Sequence, residues 1–152
     1  MGVEIHIEGL DELQANLERL GTETAKRLLG AALKDNANMV RDAIVEAAPR
    51  DTGFLADHFD VKLRAEREDI AATAFIGPSK RNYPYRGETF KFLKKKFGRT
   101  VAVASVARFL EFGTHKMAAR PFMRPAWERI REVVLDNFIK EMRDLIAVGS
   151  NK

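Results

Sequence analysis

Ala47-Ala48-Pro49-Arg50-Asp51-Thr52-Gly53-Phe54-Leu55 (47–55) decides the fold. Before it, Leu29, Leu33, Val40, Ile44 and Ala47 recur at helical spacing, widened by Ala32, Ala37 and Ala43. That stripe predicts a helix from about Glu23 to Ala47. After it, Phe59, Val61 and Leu63 alternate with Asp60, Lys62 and Arg64, the period of a half-buried strand. Pro49 stops the helix because it disfavours helical geometry in the residue before it. Arg50-Asp51-Thr52-Gly53 then supplies turn chemistry, with Asp51 or Thr52 bonding nearby backbone N–H groups.

Downstream, Glu66 to Asp69 reads as a charged turn and Ile70 to Ile76 as the hairpin partner, ended by Gly77-Pro78. Val101 to Val106 is open to strand or the lead into a short helix; Ala107 to Phe112 is helical and ends at Gly113. A last helix begins near Pro125, a favoured first-turn residue. Trp127, Ile130, Val134, Phe138 and Leu145 share its apolar face, with Val133, Met142 and Ile146 alongside. Upstream, Val3 to Glu8 alternates as a strand, and Asp11 caps a short helix through Leu20. Gly21 closes that helix and Thr22 caps the next.

Strands that are few and hairpin-linked, with helices segregated from them, define an α+β fold: a small antiparallel sheet packed by two long helices plus short helices. One domain is expected over 1–148, with a basic loop or arm at about 80–100 and a frayed tail at 149–152.

The chain is 45% apolar, enough for a core, and has no cysteine, which excludes disulfides, thiol catalysis and Cys-ligated zinc. No apolar run approaches the roughly 20 residues of a membrane helix. The N-terminus has no basic or long apolar region of a signal peptide. The chain is therefore read as cytoplasmic when made and not membrane-bound. The charge is uneven. Between Lys80 and Arg99, eight cations face Glu88 alone, so a net charge of +4 leaves the rest of the chain negative.

Three segments carry candidate function. Arg50, Asp51, Thr52, Gly53, Phe54 and Leu55 form a turn that either caps the helix exit or presents Phe54 and Leu55 to another subunit. Phe109-Leu110-Glu111-Phe112-Gly113-Thr114 sets one acid inside an apolar pair. Glu111 is either in solvent or held by Arg108, Lys116 or Arg120. Catalysis there would need a second carboxylate, a His base or a metal, which the local sequence does not supply. Arg120, Pro121, Phe122, Met123, Arg124 and Pro125 combine residue types enriched at protein interfaces, and also suit a loop tucking Phe122 and Met123 into the core.

The basic run holds Lys91, Lys94, Lys95, Lys96 and Arg99 among Phe90, Phe92 and Phe97. It reads as a solvated loop, a docking arm, or a surface for phosphate and base stacking. His6, His58 and His115 match no ligand pattern and are expected in solvent. No nucleotide-binding, nucleophile-elbow or zinc-protease motif occurs. No cofactor, metal or catalytic residue is expected.

Five features in order carry a resemblance: the opening strand with Gly9-Leu10-Asp11-Glu12-Leu13; the alanine-rich helix ending Ala47-Ala48-Pro49; Asp51-Thr52-Gly53-Phe54-Leu55; Phe109 to Thr114; and Ala119-Arg120-Pro121-Phe122-Met123-Arg124-Pro125-Ala126. In these the chain resembles the neck, or tail-completion, proteins of long-tailed bacteriophages, over nearly its whole length. The resemblance implies a non-enzymatic assembly protein of the head–tail junction, similar in architecture to ring-forming tail-cap proteins. It would be cytoplasmic in the host and then part of the virion. Its partners would be further copies of itself, neighbouring head-closure, tail-terminator or tail-tube proteins, and possible passing DNA. Under that reading Glu111, Phe112, Gly113 and Thr114 join the 50–55 turn and the 120–125 loop as subunit contacts. The rival reading is a small nucleic-acid-binding module acting through the 80–99 segment.

Overall fold

The computed structural model describes residue 15 and residues 21–50, 53–65, 71–79, 81 and 102–149. The expected strand at 3–8, the turn at 66–69 and nearly all of the 11–20 helix and the 80–99 segment lie outside them. Within them the order is α1 (Thr22–Ala47), a 3-10 turn (Ala56–His58), β1 (Phe59–Ala65), β2 (Ala72–Pro78), α2 (Val103–Phe112) and α3 (Met123–Gly149). This is the α+β class that the hydrophobic periods predict.

α1 starts one residue before the expected Glu23. Gly21 sits at the N-cap of α1, so Thr22, expected as the cap, is the first helical residue. Gly21 has φ +80°, a conformation open to glycine, and its carbonyl accepts the Ala25 N–H at 3.0 Å. The other end is as expected: Pro49 holds Ala48 extended at ψ 136°.

α1 and α3 lie antiparallel, because contacts between them run in opposite directions along the two helices. Asn36 bonds Glu141, Asn137 meets Met39, and Arg129 meets Glu46. Ala25, Ala32, Ala37 and Ala43 of α1 are all buried. Two core clusters result. Ala25 and Ala32 pack with Met142 and Ile146. Val40, Ile44 and Ala48 pack with Leu55, Phe59, Val103, Ala107, Phe122, Ala126 and Val134. Val133, expected beside the apolar face of α3, is 54% exposed.

The hairpin packs on α1. Its register pairs Phe59 with Pro78, Val61 with Ile76 and Leu63 with Ala74. β2 is displaced two residues from expectation: it begins at Ala72, and Gly77 and Pro78 belong to it. The Ser79 N–H donates to the His58 carbonyl at 2.7 Å, so the nitrogen of its neighbour Pro78 faces away from β1, where no described strand needs a donor. Burial fades along β1 from Phe59 through Val61 to the exposed Leu63.

α2 begins at Val103, which removes the strand alternative for 103–106. Its buried residues are Val103, Ala107 and Glu111, one per turn on a single face. At its end Gly113 adopts φ +73° and donates its N–H to the Phe109 carbonyl at 2.8 Å. A Cβ there would lie 2.8 Å from both the Ala119 nitrogen and the Met117 oxygen. Only glycine fits on both counts. No helix among the described residues is long and apolar enough to cross a membrane.

Candidate functional site

α3 begins at Met123 after Pro121-Phe122, with no Ser, Thr, Asp or Asn to cap it. A helix leaves its first N–H groups without intrahelical partners, and burying them unpaired is costly. The missing acceptor comes from α2. Glu111 Oε2 accepts the N–H groups of Phe122 at 2.8 Å and Met123 at 3.0 Å, and Oε1 accepts that of Arg124 at 3.0 Å. Pro125 has no N–H to satisfy, and the Ala126 N–H begins the helical ladder by donating to the Phe122 carbonyl at 3.2 Å. Every donor of the first turn is thus accounted for.

Both sequence alternatives for Glu111 are overturned. It is buried, not in solvent, and its partners are backbone amides, not the side chains of Arg108, Lys116 or Arg120. Burial alone would raise its pKa. The three N–H donors, with the Arg124 charge, outweigh burial and hold the carboxyl below its ordinary 4.5. An ionised acid whose lone pairs point at three amides is a structural cap in charge and geometry.

The cap fixes the chain between the two helices into a knuckle. Thr114 and Met117 exchange backbone hydrogen bonds at 2.8 and 3.2 Å, and the Arg120 N–H donates to the Leu110 carbonyl at 2.7 Å. Phe122 is driven inward, edge-on to Phe59 with ring centres 6.0 Å apart. The outer surface is different. Phe109, Phe112 and Met117 are exposed, Phe112 by 65%, and the Arg124 guanidinium lies 5.8 Å from the Phe112 ring centre. Arg108, Lys116, Arg120 and Arg124 are exposed around them. The segment's one acid, Glu111, is turned inward.

The earlier turn reaches the same core from the other side. Gly53 adopts φ +74° and its carbonyl accepts the Asp57 N–H at 3.1 Å. Phe54 is half-buried and stacks on His58 at 3.9 Å between centres, while His58 Nδ1 lies 2.8 Å from the Phe54 carbonyl oxygen. His58 is therefore half-buried and not free in solvent; His115 is exposed. Leu55 joins Phe59 and Phe122 in one core cluster.

The expected contact residues thus divide. Leu55, Glu111 and Phe122 are spent inside the fold. Arg50, Phe112, Thr114, Arg120, Pro121 and Pro125 remain on the surface, with Gly53, Phe54, Gly113 and Met123 intermediate. Asp51, Thr52, Lys91, Lys94, Lys95, Lys96 and Arg99 lie outside the described residues.

A second feature was not read from the sequence. Where α1 meets the C-terminal half of α3, an open depression of about 430 Å³ is lined by Asp35, Met39, Glu141, Asp144, Leu145 and Val148, with Asn36 and Lys140. Asn36 donates to the Ala32 carbonyl at 2.8 Å and to Glu141 Oε2 at 2.9 Å, yet its own Oδ1, though buried, has no partner among the described residues. Burial, and then the neighbouring Asp35 carboxylate, push the Glu141 carboxyl up, and the Asn36 amide offsets part of this. Asn36, a polar residue within the apolar and alanine-rich stretch of α1, is the signal that could have pointed here.

The fold is a small α+β scaffold with a rigid, capped turn between its last two helices. A family model describes the chain more closely: "Bacteriophage HK97-gp10, putative tail-component" matches residues 11–113. The chain belongs to this HK97-gp10-like family. It is thus a phage tail component, a virion-associated structural protein that works among other virion proteins. The matched stretch includes Glu111 and Gly113, while the helix that Glu111 caps lies beyond it. No curated protein and no solved structure matches the chain.

Proposed function

We propose that the chain is a non-enzymatic part of the head–tail junction, a neck or tail-completion protein that assembles into a ring and joins head-closure, tail-terminator or tail-tube proteins. The observation that carries this reading is the knuckle: three exposed apolar side chains, Phe109, Phe112 and Met117, on a base held rigid by Glu111 and Gly113. Clustered apolar surface of this kind marks a contact with another protein. A rigid knuckle loses little freedom on docking, so more of the contact energy goes into binding. Heterologous contacts between identical subunits close into rings where their rotation permits. Catalysis at Glu111 is disfavoured by its three amide partners.

Inactivating the gene tests this. Heads and tails should accumulate unjoined, or tails should lack a finished end, in electron micrographs of lysates. Normal joined particles, or purified particles without the protein, refute the reading.

The excess of seven positive charges between Lys80 and Arg99 favours a second reading, contact with nucleic acid, either as passing DNA in the particle or as a free-standing binding module. Its affinity would fall linearly with salt on logarithmic axes. No binding at low salt removes it.

A further inference from the structure

We infer that the basic, aromatic knuckle at 109–124 docks into the acidic, apolar depression between α1 and α3 of a second copy of this chain. The inference rests on the ring proposed above and names its two faces.

The two surfaces complement one another in charge and in polarity. The knuckle offers Phe109, Phe112 and Met117 among Arg108, Lys116, Arg120 and Arg124, with no exposed acid from 108 to 124. The depression offers Met39, Leu145 and Val148 among Asp35, Glu141 and Asp144; Lys140 also lines it, leaving two negative charges in excess. Met39 and Val148 are themselves exposed apolar residues, so both sides present surface that gains from being covered. A volume of about 430 Å³ is within the range of pockets that take a small ligand, room for one or two side chains. Oppositely charged rims steer such surfaces together and fix their register.

One subunit cannot satisfy itself. From Arg124 to Glu141 along α3, at 1.5 Å per residue, is roughly 25 Å. The contact passes to a neighbour, and in the ring proposed above that neighbour's own knuckle passes on to a third copy and not back to the first. That is a heterologous interface, the kind that builds a ring. A cation arriving from the knuckle would also relieve the crowding of Glu141 by Asp35 noted above.

The absence of cysteine gives the test a silent background. A full-length chain carrying Ala118→Cys on the knuckle and Lys140→Cys in the depression is treated with a short bismaleimide, too short to span the two sites within one chain. A ladder of dimers, trimers and higher species is expected. A chain with Ala118→Cys and Lys62→Cys, on the outer face of the hairpin, should give no ladder. Adding Asp144→Lys should lower the ladder yield at least tenfold, and adding Arg120→Glu to that chain should restore it. No ladder, or equal ladders from both pairs, overturns the inference. If the unmodified chain then still sediments as a multimer, the ring stands and only this pairing of faces falls. A chain that is monomeric at every concentration and absent from particles removes the ring itself.

Discussion

Replacing Glu111 with Ala removes the acceptor for three N–H groups at once. The Phe122 N–H is in a buried position and bears the full cost of an unpaired donor, about 1–3 kcal/mol. Those of Met123 and Arg124 are half-buried, where water recovers part of the loss, and each costs about what a missing helix cap costs at its low end, roughly 0.5 kcal/mol. The sum is about 2–4 kcal/mol, or a fall in Tm of roughly 5–15 °C for a domain of this size. Urea unfolding followed by circular dichroism at pH 7 measures it.

The pH dependence gives a sharper check. The folded carboxyl titrates below its ordinary 4.5. Its contribution is therefore complete above that pH and disappears as pH falls through the lower, folded value. Stabilities of the wild type and the Glu111→Ala variant should converge below about pH 4.5. A loss under about 1 kcal/mol at pH 7, or a constant gap between the two proteins down to acid pH, refutes the cap.

Three other outcomes follow from the same surfaces. Gly113→Ala combines a left-handed backbone with a backbone clash and should cost about 2–5 kcal/mol in urea unfolding; Gly30→Ala, with open space around it, serves as the mild comparison. Phe112→Ser should change stability by about 0.5 kcal/mol or less because the ring is largely exposed, yet impair multimer formation measured by sedimentation. Replacing Lys94, Lys95 and Lys96 with Ala should leave the thermal melt unchanged while lowering particle yield or DNA contact. Normal particle yield counts against a role for that loop.

The α+β class was legible because its signals are local. The 3.6-residue stripe from Leu29 to Ala47, the alternation from Phe59 to Arg64 and the stop at Pro49 each depend on neighbours within one turn or one strand. So do the helix end at Gly113 and the last helix near Pro125. Boundaries erred where local signals compete. Gly77-Pro78 reads as a stop, but the Pro78 nitrogen faces away from β1, where its missing N–H costs the ladder nothing. Val101 to Val106 is β-branched enough for a strand, while the burial of Val103, Ala107 and Glu111 on one face selects the helix.

The sequence by itself placed the two long helices, the hairpin between them and the helix end at Gly113, and marked Glu111 and the 120–125 loop as unusual. It could not say what Glu111 does, because its partners lie eleven to thirteen residues away and are main-chain atoms that carry no residue signature. The uncapped start of α3 was the trace of that need, and only folding shows which side chain meets it. The same holds for the depression around Asn36 and Glu141. Those residues are 105 positions apart, and only the antiparallel packing of two helices, driven by burial of their facing apolar sides, decides that they meet.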